Sequence, residues 1–438
     1  GVATIAMGNV TLLFLVVAMM GAQSALFSPS KLGAIPELVP ANKISSANGL
    51  MALTSVVACA LGFIAGNFLF GFTVNVEQGL EGGITPLPAA LGLVGVAVAG
   101  WLTSLIITKE PPGAPEAKFP VNPFHDTVRD LGTLGKDRPL LRTALGIAFF
   151  WFLASMSQMA IDPLVLEQLH LTQQDVGIFL GVLVVGLGLG SVLAGLWSGG
   201  RVELGIVPIG AVIIVVGGSA LAIVGGMVEQ YATISAAGKY SAFGALFVLG
   251  VGAGLFNVPL EAFLQHRSDR ETRGRILAAS NFLSFSLMLF SAFVFWLLKG
   301  KLGMAAGDIF MVIAIGTVPV IAYACWILPQ ATIRAIVWLL AHTLYRVKVV
   351  GRENLPERGG ALLVANHVSF LDGILLLLVS SRNIRMIAWA DYVRGGFAGW
   401  LSNLFGVIPI NSTDGPKSVV RSLKAARQAL ILRVAETY

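Results

Sequence analysis

The sequence predicts a multi-span α-helical membrane protein followed by a smaller, partial α/β domain, and three observations support this prediction. The chain of 438 residues has a mean hydropathy of +0.82 and only 12% charged residues, which excludes an ordinary soluble protein. Apolar stretches of about 20 residues, the length that crosses a bilayer, recur through the first three quarters of the chain. After Pro329 the composition turns more polar and basic, as expected of a domain outside the bilayer.

Nine stretches are long and apolar enough to be predicted membrane spans, and polar or charged connections separate them. Residues 1–8 resemble the end of a further span. The nine predicted spans are 9–28, 46–72, 87–108, 143–161, 176–198, 204–226, 241–264, 276–298 and 308–328.

The positions of Lys and Arg in the connections predict the orientation of these spans, because positively charged loops stay in the cytoplasm. One set of alternate loops holds only Lys239, Lys299 and Lys301. The opposite set is far richer, so we expect it, and the domain after the ninth span, on the cytoplasmic side. The residues of this richer set are Lys31, Lys43, Lys109, Lys118, Arg129, Lys136, Arg138, Arg142, Arg201, Arg267, Arg270, Arg273 and Arg275.

The basic character of the chain belongs to its C-terminal domain. The part before Pro329 holds 16 Lys and Arg against 17 Asp and Glu, whereas the part from Pro329 onward holds 13 against 6. A basic domain beside a bilayer suits the anionic cytoplasmic leaflet or an acidic protein, although a merely solvated surface fits equally well. Cys59 and Cys325 lie in apolar stretches far apart and indicate neither a disulfide nor a metal site.

The stretch that carries chemistry is Asn366-His367-Val368-Ser369-Phe370-Leu371-Asp372-Gly373. Residues 361–365 before it are predicted to form a short buried strand, and residues 374–379 after it the start of a buried helix. On the turn between them, the imidazole of His367 can take a hydroxyl proton while Asp372 orients the ring. The alternative is a polar turn whose His only satisfies backbone groups. A metal site is disfavoured because no third ligand follows at a useful spacing.

This Asn-His-x-x-x-x-Asp pattern resembles the first motif of the glycerolipid acyltransferases, and residues 345–351 resemble the entry strand of that family. The resemblance implies that His367 deprotonates an acceptor hydroxyl, which attacks an acyl thioester directly, with Asp372 as its orienter. Backbone donors around Gly373 would help to hold the oxyanion. The resemblance implies no cofactor, no metal and no nucleic-acid partner. The candidate substrate-binding residues of the motif are Asn366, Ser369 and Gly373.

Residues 406–411 fall where this family has its second motif, which often ends in an Arg that binds the acceptor phosphate. Asn411 stands at that place, which argues against glycerol 3-phosphate and favours a phosphodiester head group. Residues 384–389 and 407–410 are predicted strands. A basic strip further on suits an acyl carrier protein or lipid phosphates, although a solvated face is at least as compatible. The strip consists of Lys417, Arg421, Lys424 and Gln428.

The membrane part resembles the major facilitator superfamily, whose six plus six helices are joined by a cytoplasmic linker. The proline-rich connection 109–142 resembles that linker, and three predicted spans precede it where six are expected, so the first helices are expected to be missing. Within the superfamily the chain is similar to the bacterial lysophospholipid transporters. The stretches that carry this similarity are 28–33, 36–38, 47–50, 258–265 and 281–282.

Glu261 is the clearest ionisable residue inside a predicted span. It either reaches the membrane interface or contacts a cationic head group such as phosphoethanolamine. Asn67, Gln158 and Asn257 are weaker candidates for a polar path. Three Gly-x-x-x-Gly patterns predict either close helix packing or smooth faces on which one bundle rocks against the other. They begin at Gly62, Gly186 and Gly250.

We therefore expect a lysophospholipid salvage protein of the bacterial inner membrane. It would move a lysophospholipid inward and reacylate its hydroxyl from an acyl carrier protein or another acyl thioester. The alternative is a transporter of another amphiphile whose acyltransferase-like module only binds lipid. The acyltransferase domain is expected to be partial, because the third family motif is not found before Tyr438. The predicted domains are a partial first bundle 1–108, a linker 109–142, a second bundle 143–328, an interfacial connector helix 329–348 and the acyltransferase domain 349–438.

Overall fold

A computed structural model gives the fold of the chain. It describes residues 10–73, 87–106, 123–198, 202–231 and 235–344, and shorter stretches beyond. These shorter stretches are 347, 349–351, 354, 361–366, 369, 372–373, 375–376, 384–393, 395–411 and 415–435. The chain forms two compact units, residues 1–323 and 324–438, and each is described by itself.

Three helices lie where the first three spans were predicted. Helix α1 ends before Pro40, which has no N–H to continue the helical ladder. A single 3-10 turn, Ala41–Lys43, then leads into the next helix. The helices are α1 (Val10–Leu38), α2 (Ile44–Thr73) and α3 (Leu87–Ser104).

Seven helices follow, and the first of them, α4, occupies part of the predicted linker. In the described part of the chain, α5 to α10 are long and apolar enough to cross a membrane, while α1, α2 and α3 contain shorter apolar segments. Short π-helical turns extend α5 over Leu164–Gln168 and α9 over Trp296–Lys301. The helices are α4 (Pro123–Lys136), α5 (Arg138–Pro163), α6 (Gln173–Trp197), α7 (Ile206–Tyr231), α8 (Ala236–Arg267), α9 (Arg273–Phe295) and α10 (Ala306–Ile327).

Two of the glycine patterns pack against each other, where α6 crosses α8. A Cβ at Gly186 would clash with the carbonyl of Phe247, and one at Gly190 would clash with the carbonyl of Val251. From the other side, a Cβ at Gly250 would clash with the Leu183 carbonyl. The helices approach this closely because glycine leaves room for the opposing backbone. For these two patterns the structure bears out the packing interpretation, within one bundle.

A buried amide joins the end of α5 to the start of α10. Gln168 is the last residue of the π-helical turn, and its Oε1 accepts the Gly307 N–H at 2.7 Å. An N–H in the first turn of a helix has no partner within the helix, so this side chain satisfies a donor that burial would otherwise leave unpaired. The core of this bundle is apolar and includes the fully buried rings of Phe179, Phe256 and Phe310.

The C-terminal unit combines helices with a two-stranded parallel sheet. Ile387 pairs with Ile408 and Trp389 with Ile410, which confirms both predicted strands in shortened form. Helix α11 supplies the helical part of the predicted connector. The elements are α11 (Pro329–Leu344), β1 (Ile387–Trp389), α12 (Ala390–Val393), α13 (Gly396–Phe405), β2 (Ile408–Ile410) and α14 (Pro416–Ala435).

The predicted buried strand at 361–365 is wrong. Residues 361–366 adopt no regular secondary structure and are exposed, with Leu362 at 74% and Val364 at 83%. The apolar run was interpreted as a strand, but a strand needs a partner for its backbone groups. Among the described residues the sheet contains β1 and β2 alone, and neither pairs with this run. The described part of 345–351, residues 347 and 349–351, is likewise not a strand.

Candidate functional site

A reciprocal amide pair joins the first helices to the second bundle. Asn48 on α2 donates from Nδ2 to Gln265 Oε1 at 2.9 Å, and Gln265 on α8 donates from Nε2 to Asn48 Oδ1 at 2.9 Å. Both residues are buried, and Asn48 Nδ2 also reaches the Ile44 carbonyl at 3.0 Å. Separating the two helices would break both hydrogen bonds and leave two buried amides without partners, so the pair opposes separation. Beside the pair, a Cβ at Gly49 would lie 2.7 Å from the carbonyl oxygen of Ser191 on α6.

Ion pairs surround this amide pair at the arginine-rich end of the molecule. Glu37, near the end of α1, lies 3.6 Å from Arg270 and 3.8 Å from Arg273, so an acid of the first bundle meets bases of the second. Asp137 binds Arg267 at 3.0 Å and also caps α5 by accepting the Leu140 N–H at 3.1 Å. The Glu37 ion pairs and the amide pair close the two bundles against each other at the end predicted to face the cytoplasm, and the Asp137–Arg267 pair joins α5 to α8 beside them. We call this group of bonds the arginine-end closure.

Two polar side chains lie on α8, one and two turns before Gln265 of this closure. Asn257 and Glu261 are four residues apart and share a helix face, and Gln265 follows one turn later. The Oδ1 atom of Asn257 is buried and accepts no hydrogen bond from any residue that the structure describes. Glu261 is partly buried. A face with an amide oxygen and a carboxylate offers hydrogen-bond acceptors to a ligand that carries N–H or O–H donors.

In the C-terminal unit, Asp372 folds back over the turn that precedes it. Its Oδ2 accepts the Ser369 N–H at 2.8 Å, while the Asp372 N–H donates to the Ser369 carbonyl at 3.0 Å. This is one half of a capping box, which starts a helix by satisfying a free N–H. The described residues 372, 373, 375 and 376 are indeed helical, although Leu375 is 41% exposed rather than buried. His367 lies outside the described residues, and Asn366 beside it is exposed.

Gly373 is the point at which this turn meets the sheet. A Cβ at Gly373 would lie 3.1 Å from Sδ of Met386, the residue before β1. The Met386 carbonyl in turn accepts the Ile408 N–H of β2 at 2.8 Å. The turn therefore rests against the start of the sheet. Asn411 is buried and directly follows β2, about 10 Å from Ile408 along an extended strand. The first predicted motif, with Gly373, therefore borders the start of the sheet, and the second, with Asn411, borders its end.

The predicted basic strip is exposed along α14. The helix contacts β2 through Ser422, whose hydroxyl donates to the Pro409 carbonyl at 2.8 Å. The strip thus belongs to the same unit as the turn at Asp372, and its charges are available to a ligand. The exposed residues of the strip are Lys417, Arg421, Lys424 and Gln428.

Residues 1–292, more than half of the chain, match the sequence model of the family described as Major Facilitator Superfamily. The chain belongs to this superfamily. It is therefore a multi-pass membrane protein, as the apolar helices predicted. This superfamily member also carries an acyltransferase-family domain, since residues 346–433 match the family model described as Acyltransferase. Both resemblances in the sequence are thus confirmed.

Similar curated proteins extend the comparison for this superfamily member. The lysophospholipid transporter LplT of Klebsiella pneumoniae subsp. pneumoniae is 27% identical over 266 residues, which cover 60% of this chain and 61% of that protein. LplT of Enterobacter sp. (strain 638) is 28% identical over 282 residues, covering 62% and 63%. The chain thus spans about three fifths of the length of these relatives. A solved structure of a bacterial homologue of the iron transporter ferroportin, in the outward-facing state, matches 75% of this chain and 73% of that one, with 18% identity and a TM-score of 0.46.

Sequence reasoning missed the arginine-end closure. Asn48, Gln265 and Glu37 were noticed only as parts of stretches similar to the transporters. The one signal available was a polar side chain within an apolar helix, which identifies a residue of interest but not its partner. Asn48 and Gln265 are 217 positions apart, and a single sequence carries no information that links them.

Proposed function

We propose that the chain carries a lysophospholipid across the bacterial inner membrane and that its acyltransferase domain then reacylates the lipid at the cytoplasmic face. The observation that carries this proposal is the combination of a major facilitator fold and an acyltransferase-family domain in one chain. The relatives named lysophospholipid transporter support the choice of substrate class. Lysophospholipid is the lipid that fits both halves, because it needs transport and has a free hydroxyl for acylation.

In the transport step, the arginine-end closure keeps the path to the cytoplasm shut until the substrate has bound. Glu261 is proposed to bind the cationic part of the head group, and Asn257 to accept a further hydrogen bond on the same face of α8. This role is supported by their position one to two turns from the Asn48–Gln265 pair. The bundles then separate at this end, and the amide pair breaks, as the lipid passes to the inner leaflet.

In the acyl-transfer step, His367 is proposed to take the proton of the lysophospholipid hydroxyl. The hydroxyl oxygen attacks the thioester carbonyl carbon, the C–S bond breaks, and the departing thiolate receives the proton from the imidazolium. Asp372 is proposed to orient the ring; its carboxylate accepts the Ser369 N–H, which holds it at the start of the helix after the motif. Backbone N–H groups near Gly373 hold the oxyanion, with Asn366 and Ser369 beside the acceptor.

Two further roles follow from the sheet and from α14. Asn411 is proposed to lie near the phosphodiester of the acceptor, because it is the polar residue at the end of β2. An acyl carrier protein, or another acyl thioester, is proposed as the donor. The exposed basic strip on α14 supports an acidic carrier, because opposite charges steer such partners together. The domain is proposed to lie in the cytoplasm, as the positions of Lys and Arg in the loops indicate.

The test uses vesicles that contain the chain and enclose an acyl-loaded carrier protein. Lysophosphatidylethanolamine is added outside, and both its entry and the diacyl product formed inside are measured. We expect both to exceed the values for empty vesicles. Entry no faster than in empty vesicles would end the transport half of the proposal.

The same vesicles separate this proposal from its rival, a transporter whose acyltransferase-like domain only binds lipid. If entry is fast and the product forms equally slowly with the parent chain and with His367→Ala, the domain is not catalytic. Product formation that depends on His367 excludes the rival.

A further inference from the structure

Helix α13 exposes two large aromatic side chains on the surface of the acyltransferase unit. Phe397 is 74% exposed and Trp400 is 52% exposed, and their rings stack with centroids 5.6 Å apart. Tyr392 on the neighbouring α12 is also exposed. We call these three residues the α13 patch.

The residues around the patch make it unlike an ordinary solvated surface. From Gly395 to Asn411 the sequence contains no Asp, Glu, Lys or Arg. Single exposed apolar residues are normal on soluble domains, but the two stacked rings of Phe397 and Trp400 on an uncharged helix indicate a contact surface. Trp and Tyr are the residues enriched where protein meets the head-group layer of a bilayer.

A hydrogen bond ties α13 to the chain segment that leaves the membrane. The Gln330 side chain donates from Nε2 to the carbonyl of Leu404, in the last turn of α13. Gln330 comes three residues after Ile327, where α10 ends. The Leu328 N–H bonds the Ala324 carbonyl at 2.9 Å, so the backbone ladder continues from α10 toward α11.

The distances place the patch within reach of the bilayer. Leu328 forms a bend between α10 and α11, and three residues span at most about 10 Å even when extended, so Gln330 lies close to the end of the predicted span. Leu404 is bonded to it, and Trp400 lies one turn from Leu404, about 6 Å along α13. The Gln330–Leu404 bond therefore keeps the C-terminal end of α13 near the end of the predicted span.

We propose that the α13 patch inserts into the interface of the lipid bilayer and forms a second membrane contact of the acyltransferase domain, beside α11. The occupant is the lipid surface itself. Charge separates this contact from that of an acidic carrier protein, because the patch is uncharged whereas the basic strip lies on α14. Such a contact keeps the domain at the bilayer, where its lipid acceptor is found.

The test measures where the side chains lie, independently of transport and catalysis. Cys59 and Cys325 are first replaced by alanine, and single cysteines are introduced by Phe397→Cys or Trp400→Cys. Each is spin-labelled in the full chain in lipid vesicles. Collision rates with oxygen, which concentrates in lipid, and with a nickel chelate, which stays in water, are compared. Phe290→Cys on α9, at a residue 55% exposed within a predicted span, gives the lipid reference, and Asp269→Cys in an exposed charged loop gives the water reference.

We expect oxygen collisions to exceed nickel collisions at positions 397 and 400, as at position 290. Nickel collisions that dominate, as at position 269, would overturn the proposal. Low collision rates with both reagents would overturn it as well, because the patch would then be covered by protein, either by a second copy of the chain or by another part of the same copy. Both substituted side chains are exposed, so the folded unit tolerates their replacement. The labels at positions 397 and 400 are independent, and both must give the same result.

Discussion

The second bundle and the acyltransferase unit differ in what holds them together. In the bundle, α6, α7 and α8 meet through glycines that admit the opposing backbone, and large rings such as Phe179 and Phe256 are fully buried. In the described part of the acyltransferase unit, many apolar side chains are exposed, and the turn at Asp372 rests on a few hydrogen bonds. Close packing of helices thus determines the structure of the bundle. In the acyltransferase unit, the candidate catalytic residues belong to an accessible turn. Substitutions should therefore damage stability in the bundle and activity in the unit.

The largest effect is expected at His367. Replacement by alanine should lower the rate of acyl transfer by about 10²- to 10⁴-fold, because the acceptor hydroxyl loses its general base. The thermal unfolding of the chain should not change. His342→Ala is the matched control, since its ring stacks on Trp338 in α11 and it belongs to neither predicted acyltransferase motif. A parallel loss of activity in both variants would show that the turn has no special role.

Gly190→Ala should produce the largest loss of stability. The added Cβ meets the backbone of Val251, which cannot move aside as a side chain can, so the cost is expected to be about 1–3 kcal/mol or more. Gly181→Ala on the same helix is the control, because its Cβ would meet nothing within 4 Å. There the substitution should be neutral or stabilise the helix by about 0.5–1 kcal/mol. Unfolding in detergent measures both, and equal stability of the two variants would contradict the interlocked crossing.

The amide pair should show a smaller, coupled effect. Asn48→Ala or Gln265→Ala leaves one buried amide without its partner, at a cost of about 1–3 kcal/mol. The double variant should lose less than the sum of the two, with a coupling of about 0.5–3 kcal/mol. Gln158→Ala, at an exposed amide on α5, serves as the control. Strictly additive losses would mean that the pair does not hold the bundles together.

The smallest effect is expected at Arg270, whose side chain is 57% exposed and 3.6 Å from Glu37. Such a pair is screened by water and salt, so Arg270→Ala should cost about 0–1 kcal/mol, and less at high salt. Arg273→Ala should cost more, because this side chain is only 13% exposed and also donates to the Ser268 carbonyl at 3.2 Å. The order of the two unfolding temperatures checks this, and the reverse order would contradict it.

Features that depend on composition and local periodicity were predictable from the sequence. Helices occupy all nine predicted spans, and the Gly186 and Gly250 patterns were identified as possible packing faces. Both strands in the second half of the acyltransferase domain were also predicted. In each case the determining signal lies within the helix or strand that contains the residue concerned.

Features that depend on partners distant in sequence were not predictable. The pairing of α6 with α8, and of Asn48 with Gln265, is decided by three-dimensional packing. The strand prediction for residues 361–365 was wrong for the same reason. An apolar pentapeptide indicates burial, but it does not show whether a neighbouring strand is present to pair with it. The roles of His367, Asp372 and Asn411 stay predictions: the structure fixes the Asp372 carboxylate by its bond to the Ser369 N–H, but His367 lies outside the described residues.

The interlocked crossing of α6 and α8 also limits how this membrane region can deform. If α6 were to slide along α8 by a single residue, the glycines would leave their places, and bulkier neighbours such as Leu187 would be driven onto opposing carbonyls. The two helices therefore cannot ratchet past each other, and they act as one rigid strut. Any displacement that opens the arginine-rich end must carry this strut as a whole.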